Sequence, residues 1–146
     1  MFQGALQVNL DIKNRMAIPV KQRNKLVSLE CNQITITAHP SRCLLVYPMS
    51  AWELVARKVE TFSSLDGQAA GWRRMLLGHA ETLELDAAGR ILLPPTLRAF
   101  ANIDKATMLV GQGDYLELWN EDAWHAQIAA FNPNGLMPAG MANFSL

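Results

Sequence analysis

The stretch Leu10-Asp11-Ile12-Lys13-Asn14-Arg15-Met16-Ala17-Ile18-Pro19 decides the architecture of this 146-residue chain, because it occurs twice. It returns as Leu85-Asp86-Ala87-Ala88-Gly89-Arg90-Ile91-Leu92-Leu93-Pro94, with Leu, Asp, Arg and Pro at the same spacing. Beyond each proline the match continues to an arginine four residues later. A duplicated unit fixes an architecture, and two copies are too few for a solenoid. The sequence therefore predicts two related half-domains.

Each copy has the composition of a strand, a tight turn and a second strand. Asp11 and Asp86 suit the first position of a type I turn, where the carboxylate accepts hydrogen bonds from nearby amides. Asn14 and Gly89 stand where such a turn needs a left-handed residue, and Asn and Gly enter that region most readily. We therefore predict a β-hairpin at each copy.

Side-chain alternation separates the arginine of each motif from its apolar neighbours. In a strand, successive side chains point to opposite faces. Met16 and Ile18 then share one face and Arg15 points the other way, and the second copy places Arg90 likewise. Each predicted hairpin, with strands at 8–10 and 16–18 in the first copy, carries core residues on one face and an arginine on the other.

Composition excludes several classes of protein. Half of the residues are hydrophobic, which is enough for a packed core. No apolar run approaches the roughly 20 residues of a membrane helix, and no secretory leader is visible. Cys31 and Cys43 are expected to be reduced. The three histidines are far apart in sequence and none forms a metal-ligand spacing with a cysteine or an acid, so we predict no metal site and no cofactor. Because no export signal is visible, we expect a cytoplasmic protein.

Charge is distributed unevenly although the formal net charge is zero. Residues 1–25 contain five basic side chains against one aspartate, whereas residues 81–131 contain three basic side chains against eight acids. Such asymmetry is the informative quantity. It is either a solvated face or an attraction for an anionic partner near the first motif, where Lys13, Lys21 and Arg23 are close in sequence to Arg15.

The remaining elements repeat in order. Strands are predicted at 34–38 and 43–47, and Ser50-x-x-Glu53 has capping-box spacing at the start of a helix. Residues 63–71 are predicted to be a break. We predict half-domain 1 at residues 5–53, a helical connection at 54–80, half-domain 2 at 81–124, the end of the last helix at 125–131, and a flexible, uncharged tail at 132–146.

No catalytic constellation is visible. The chain has no nucleophile elbow, phosphate-binding loop or dinucleotide fingerprint. Asp11 and Asp86 could be proposed as paired acids for general acid–base work, but their turn role explains them at least as well and is the interpretation we favour. We therefore expect no enzyme and no small-molecule substrate.

Arg15 and Arg90 have two possible roles. A hairpin carrying an exposed arginine is a projecting basic element, and a two-stranded ribbon fits the major groove of DNA. Alternatively each arginine forms an ion pair with the aspartate of its own motif. The two roles are compatible, because the aspartate can orient the arginine.

The duplicated Asp-x-x-x-Arg motif, closed by Pro19 or Pro94, resembles the MraZ family of bacterial transcriptional regulators. Phe2 and Gly4 also match the family's opening. The resemblance covers residues 1 to about 131, and Asn14 departs from the glycine that the family has there.

This resemblance implies a fold and a function. The implied fold is mixed α/β, mainly β, with duplicated AbrB-like β-barrel half-domains of the swapped-hairpin type in one pseudo-symmetric unit. The implied activity is repression of the family's own operon of cell-division and cell-wall genes. It implies a nucleoid-associated, ring-shaped homo-oligomer that binds direct repeats in double-stranded promoter DNA through Arg15 and Arg90. The alternative is an oligomeric scaffold or interaction module whose motifs make subunit contacts.

Overall fold

The computed structural model describes residues 1–146 and contains eight strands and five helices. The strands are β1 (Ala5–Asn9), β2 (Arg15–Ala17), β3 (Gln33–Ala38), β4 (Leu44–Pro48), β5 (Glu81–Glu84), β6 (Arg90–Leu92), β7 (Ala106–Gly111) and β8 (Leu116–Asn120). The helices are α1 (Val20–Ser28), α2 (Met49–Glu60), α3 (Gly67–Leu76), α4 (Pro95–Phe100) and α5 (Glu121–Ala130). The predicted mixed α/β class with duplicated half-domains is confirmed.

The strands of the two repeats are exchanged. A six-stranded antiparallel sheet has the order β1-β7-β8-β4-β3-β5, and β2 and β6 form a second, two-stranded sheet. The first strand of each repeat therefore pairs with the central hairpin of the other repeat. The hairpin predicted at each motif from its local pattern is wrong, because the strands before and after each turn enter different sheets and have different partners. This exchange agrees with the swapped-hairpin arrangement that the family resemblance implied.

The main core lies between the two sheets and helices α1 and α4. The four apolar motif residues, Met16, Ile18, Ile91 and Leu93, are at most 2% exposed and contact the inner face of the large sheet. At about 25 cal/mol per Å² of apolar surface, burial of such side chains is the main stabilising contribution. The alternation of core and arginine residues predicted along β2 and β6 is confirmed.

Prolines begin three of the helices. Pro19, Pro48 and Pro94 occupy the N-cap positions of α1, α2 and α4, and none of these caps has a side-chain hydrogen bond. The predicted capping box at Ser50 is wrong, because α2 begins at Met49, directly after β4, and Ser50 lies inside the helix. The last helix has a side-chain cap, since Asn120 accepts a hydrogen bond from the amide of Ala123.

The connection between the repeats is more helical than predicted. Helix α3 begins at Gly67, so only the first part of the predicted break at residues 63–71 lies outside a helix. The Asp66 carboxylate caps α3 by accepting from the amide of Ala69. Arg73 donates to the carbonyls of Val59 and Glu60 and so closes the end of α2.

Two aromatic pairs cover the outer face of the large sheet. Trp52 packs on Tyr47 and Trp124 packs on Trp119, with ring centroids 5.7 and 5.9 Å apart, so the two repeats use the same pair. Residues 132–146 are exposed throughout. No helix in the chain combines the length and the apolar character needed to cross a membrane.

Candidate nucleic-acid interface

The first motif forms a five-residue turn held by Asp11. The amide of Asp11 donates to the carbonyl of Arg15, and the amide of Asn14 donates to the carbonyl of Asp11. The Asp11 carboxylate accepts from the amides of Lys13 and Arg15 through Oδ1 and from the Arg15 Nε through Oδ2, at 2.8–3.0 Å. Asn14 has a φ of 61°, as the left-handed position requires. The turn therefore fixes the Nε end of the Arg15 guanidinium group as well as the backbone.

The second motif repeats this geometry. Asp86 accepts from the amides of Ala88 and Arg90 and from the Arg90 Nε, the last at 2.9 Å. Gly89 has a φ of 73°. Both predicted ion pairs are confirmed, and the turn role predicted for both aspartates accounts for their contacts.

The two turns meet through the β2–β6 ribbon. Met16 pairs with Ile91 at its centre, Arg15 pairs with Leu92 and Ala17 pairs with Arg90. Because directly opposed residues share a face, both arginines lie on the outward face, diagonally across the central pair. Diagonal neighbours of this kind are roughly 7–8 Å apart at the backbone.

The guanidinium groups of Arg15 and Arg90 are bound by the aspartates of their own turns but stay accessible to solvent. The side chains of Arg15 and Arg90 are 29% and 36% exposed. Each aspartate has a lowered pKa, mainly because the backbone amide of its arginine donates to it, with the arginine charge as a smaller cause. Both carboxylates are therefore ionised at neutral pH, and each pair still presents its remaining guanidinium N–H groups outward, since only Nε is bound to the aspartate.

The other predicted basic residues lie in two places. Lys13 is exposed at the tip of the first turn and Lys21 is exposed on α1. Arg23 extends from α1 to the second turn, where its Nη1 donates to the carbonyl of Ala88 at 2.8 Å. A Cβ at Gly89 would lie 2.3 Å from this Nη1, so the glycine also makes room for Arg23. Arg23 thus joins the first repeat to the turn of the second.

Two apolar side chains project beside the arginines. Ile12 is 98% exposed at the tip of the first turn, and Leu92 is 59% exposed opposite Arg15. Sequence reasoning did not single them out. The signal for Leu92 was available in the repeat, since strand alternation puts it on the same face as Arg90.

A second group of chemically active side chains was also missed. His39, Cys43 and Glu117 have ligand atoms within 4.8 Å of one another. No spacing in the sequence singled out this group, because strand pairing brings Glu117 to residues far from it in sequence. Burial, together with the Glu117 carboxylate, raises the pKa of the Cys43 thiol above its ordinary value. Both cysteines are free thiols, as predicted.

The chain is similar to proteins of one family along its whole length. A family model described as "MraZ protein, putative antitoxin-like" matches residues 1–74 and again residues 76–140. The protein named "Transcriptional regulator MraZ" from Methylobacillus flagellatus is 48% identical over 128 residues, which are 88% of this chain and 86% of that protein. The proteins of the same name from Saccharophagus degradans and Thiobacillus denitrificans are 48% and 40% identical over the full length of both chains.

Proposed function

Because this chain belongs to the MraZ family, we propose that it is a sequence-specific, DNA-binding transcriptional regulator that represses its own operon of cell-division and cell-wall genes. The observation that carries the proposal is the outward face of the β2–β6 ribbon, which presents Arg15 and Arg90 together. A two-stranded ribbon fits the major groove of B-form DNA, and arginine is the side chain that most often binds guanine there.

The first motif is proposed to dominate the contact. Lys13 and Lys21 are exposed and lie within six residues of Arg15 in sequence, and phosphate attraction to such side chains supplies most of the non-specific affinity for DNA. The second motif lies in the acidic part of the sequence, and Arg23 from the first repeat adds a positive charge at its turn. The two aspartates orient the guanidinium groups and reduce the conformational entropy that each arginine loses on binding.

The proposed assembly is a ring-shaped homo-oligomer that binds direct repeats in the promoter and associates with the nucleoid. One small basic ribbon on a neutral chain should bind DNA weakly. Repetition of the ribbon around an oligomer raises the avidity when the spacing of DNA sites fits that of the subunits. Head-to-tail subunit contacts that close by rotation give rings, and adjacent subunits related in this way match direct repeats.

A second candidate function is an oligomeric scaffold in which the motifs make subunit contacts. Exposed Leu92 favours it, because an apolar side chain in the middle of the arginine face suits a protein partner. The two functions differ in what loss of an arginine does to assembly.

The experiment is an anisotropy titration of the chain against the DNA upstream of its own gene, over a series of salt concentrations. Arg15→Ala should weaken operator binding by about 2 kcal/mol per site, within the range of one bidentate base contact. Arg90→Ala should weaken it less. Arg74→Ala is the matched control, since Arg74 is an exposed arginine on α3 outside the ribbon.

Light scattering at micromolar concentration measures assembly in parallel. Wild-type affinity of an assembled Arg15→Ala variant at every salt concentration would rule out the first motif as the DNA-reading element. Loss of assembly without loss of intrinsic affinity would favour the scaffold. A single species of 16.2 kDa for the wild type would overturn the ring.

A further inference from the structure

The turn between β3 and β4 has the same hydrogen bonds as the two Asp-x-x-x-Arg turns. The amide of His39 donates to the carbonyl of Cys43, and the amide of Arg42 donates to the carbonyl of His39. Arg42 has a φ of 65°, like the left-handed residue of each motif. The Ser41 amide donates to the His39 ring Nδ1 at 3.0 Å, as the corresponding amide of the first motif does to Asp11. This turn therefore places the side chains of His39 and Cys43 next to each other, as it does for Asp and Arg.

A carboxylate from the other repeat completes the group. Glu117 lies on β8, which pairs with β4, and its Oε2 is 3.8 Å from the Cys43 Sγ. The opposite oxygen, Oε1, accepts from the Gln112 amide and from the Trp119 indole N–H, at 3.3 and 3.2 Å. Two donors on one oxygen fix the carboxylate and leave the other oxygen directed at the thiol. Carboxylates that ligate metals are commonly oriented in this way.

We infer that His39, Cys43 and Glu117 form a binding site for one Zn²⁺ ion per chain. A thiolate, an imidazole and a carboxylate are the ligands that Zn²⁺ takes in proteins, and three protein ligands leave a fourth position for water. Zinc–ligand bonds of about 2.0–2.3 Å put ligand atoms in a tetrahedron roughly 3.5 Å apart. The distance of 3.8 Å between the Cys43 Sγ and the Glu117 Oε2 is already close to this value. The ligand atoms of the three residues lie within 4.8 Å of one another, so binding would require them to approach by about 1 Å.

Binding of Zn²⁺ releases one proton, from Cys43, and relocates another, on His39. The Cys43 thiol loses its proton to solvent, and the thiolate and carboxylate together neutralise the charge of the ion. Since Nδ1 accepts from Ser41, neutral His39 carries its proton on Nε2. Coordination through Nε2 moves that proton to Nδ1 and breaks the hydrogen bond from Ser41. The site therefore binds less tightly than one built without this exchange.

The site occurs once because the second repeat has changed all three positions. The strand registers make Gln112, Tyr115 and Leu45 equivalent to His39, Cys43 and Glu117, and none of these three offers a zinc ligand of the same kind. The ion would join the β3–β4 turn of the first repeat to β8 of the second. We therefore expect bound Zn²⁺ to raise the melting temperature of the full chain.

The test is a Co²⁺ titration of the reduced, metal-free full chain, followed by displacement with Zn²⁺. One equivalent of Co²⁺ should produce thiolate-to-cobalt charge-transfer absorption, and Zn²⁺ should abolish it. Cys43→Ser should lose the band, whereas the matched control Cys31→Ser should keep it. His39→Ala should lower the affinity at least tenfold, and the control His125→Ala, with its imidazole on α5, should not.

Metal-free melting temperatures establish that the variants fold. If Cys43→Ser is unfolded, the partly exposed His39 still supplies the test through its alanine variant. Ring ¹⁵N spectra should show the His39 proton moving from Nε2 to Nδ1 on addition of Zn²⁺. Absence of the band in the wild type, its loss in Cys31→Ser, or equal affinity of His39→Ala and wild type would each overturn the inference.

Discussion

Asn14 and Gly89 occupy equivalent left-handed positions in the two turns, but only Asn14 has a side chain. Both have positive φ, but Asn14 carries a Cβ in the left-handed region, whereas Gly89 must also leave room for Arg23. The first turn therefore carries a side chain at a position where the second could admit one only by displacing Arg23.

Substitution of Asn14 tests this difference. Asn14→Gly should be neutral or mildly stabilising, and Asn14→Val should destabilise the fold by about 1–2 kcal/mol, because a β-branched residue resists positive φ. Thermal unfolding of the two variants measures the effect. Equal melting temperatures for Gly and Val would contradict the role of the left-handed residue.

Gln22 is a second residue at which the repeats differ. It is 2% exposed on α1, and its Oε1 has no hydrogen-bond partner. The equivalent position of the second repeat holds Leu97, which is 1% exposed. A buried acceptor without a partner costs about 1–3 kcal/mol.

Gln22→Leu should therefore raise the free energy of unfolding by about 1–3 kcal/mol, since it removes the unpaired acceptor and copies the other repeat. Chemical denaturation gives the value. The reciprocal variant Leu97→Gln is the control and should destabilise the chain. A Gln22→Leu variant that is less stable than wild type would show that the amide has a partner in solution.

Among the elements, the two Asp turns matter most, because each orders one end of the ribbon. In each turn the aspartate carboxylate links two backbone amides and one guanidinium, so loss of its charge weakens all of these bonds together. The pKa of each carboxylate is lowered in the folded chain relative to the ordinary aspartate value of 3.8.

A lowered folded pKa gives stability that is present above pH 3.8 and is lost as the pH falls through the folded pKa. Wild type should therefore lose stability on acidification below about pH 4. The double variant Asp11→Asn, Asp86→Asn lacks this contribution and should show a shallower loss. Melting temperatures from pH 6 to pH 3 measure it, and parallel curves for the two proteins would argue against the turns as the acid-sensitive elements.

On the scale of the whole molecule, the exchange of strands makes the two repeats interdependent. Strand β1 pairs with β7, β2 with β6, and β5 with β3. The main core contains motif residues from both repeats. Neither repeat can therefore bury its motif residues without a partner.

Residues 1–62 expressed alone should consequently lack a fixed tertiary structure as a monomer. Mixing them with residues 63–146 should restore the near-ultraviolet circular dichroism of the full chain, because the exchanged strands then regain their partners. Light scattering distinguishes a monomer from a self-paired dimer of the fragment. A folded monomer of residues 1–62 would contradict the exchange as the source of stability.

The sequence by itself determined the local structure of the motifs. The Asp turns, the left-handed positions, the opposite faces of Met16 and Arg15, and the ion pairs all depend on residues within five positions of one another, so a short stretch carries the whole signal. The duplication was equally visible, because it is a property of the order of residues. The predicted half-domain boundaries and the DNA contacts of the basic residues remain predictions.

Only the tertiary structure decided which strands pair. A β-strand satisfies its hydrogen bonds equally well with a partner next to it or one about 100 residues away, so the local pattern fits a simple hairpin and an exchanged strand alike. The same non-local pairing carries Arg23 to the turn at Ala88 and brings Glu117 beside Cys43. Contacts between segments that are distant in sequence depend on how the strands and helices pack around the core. The local sequence around each residue does not predict such contacts.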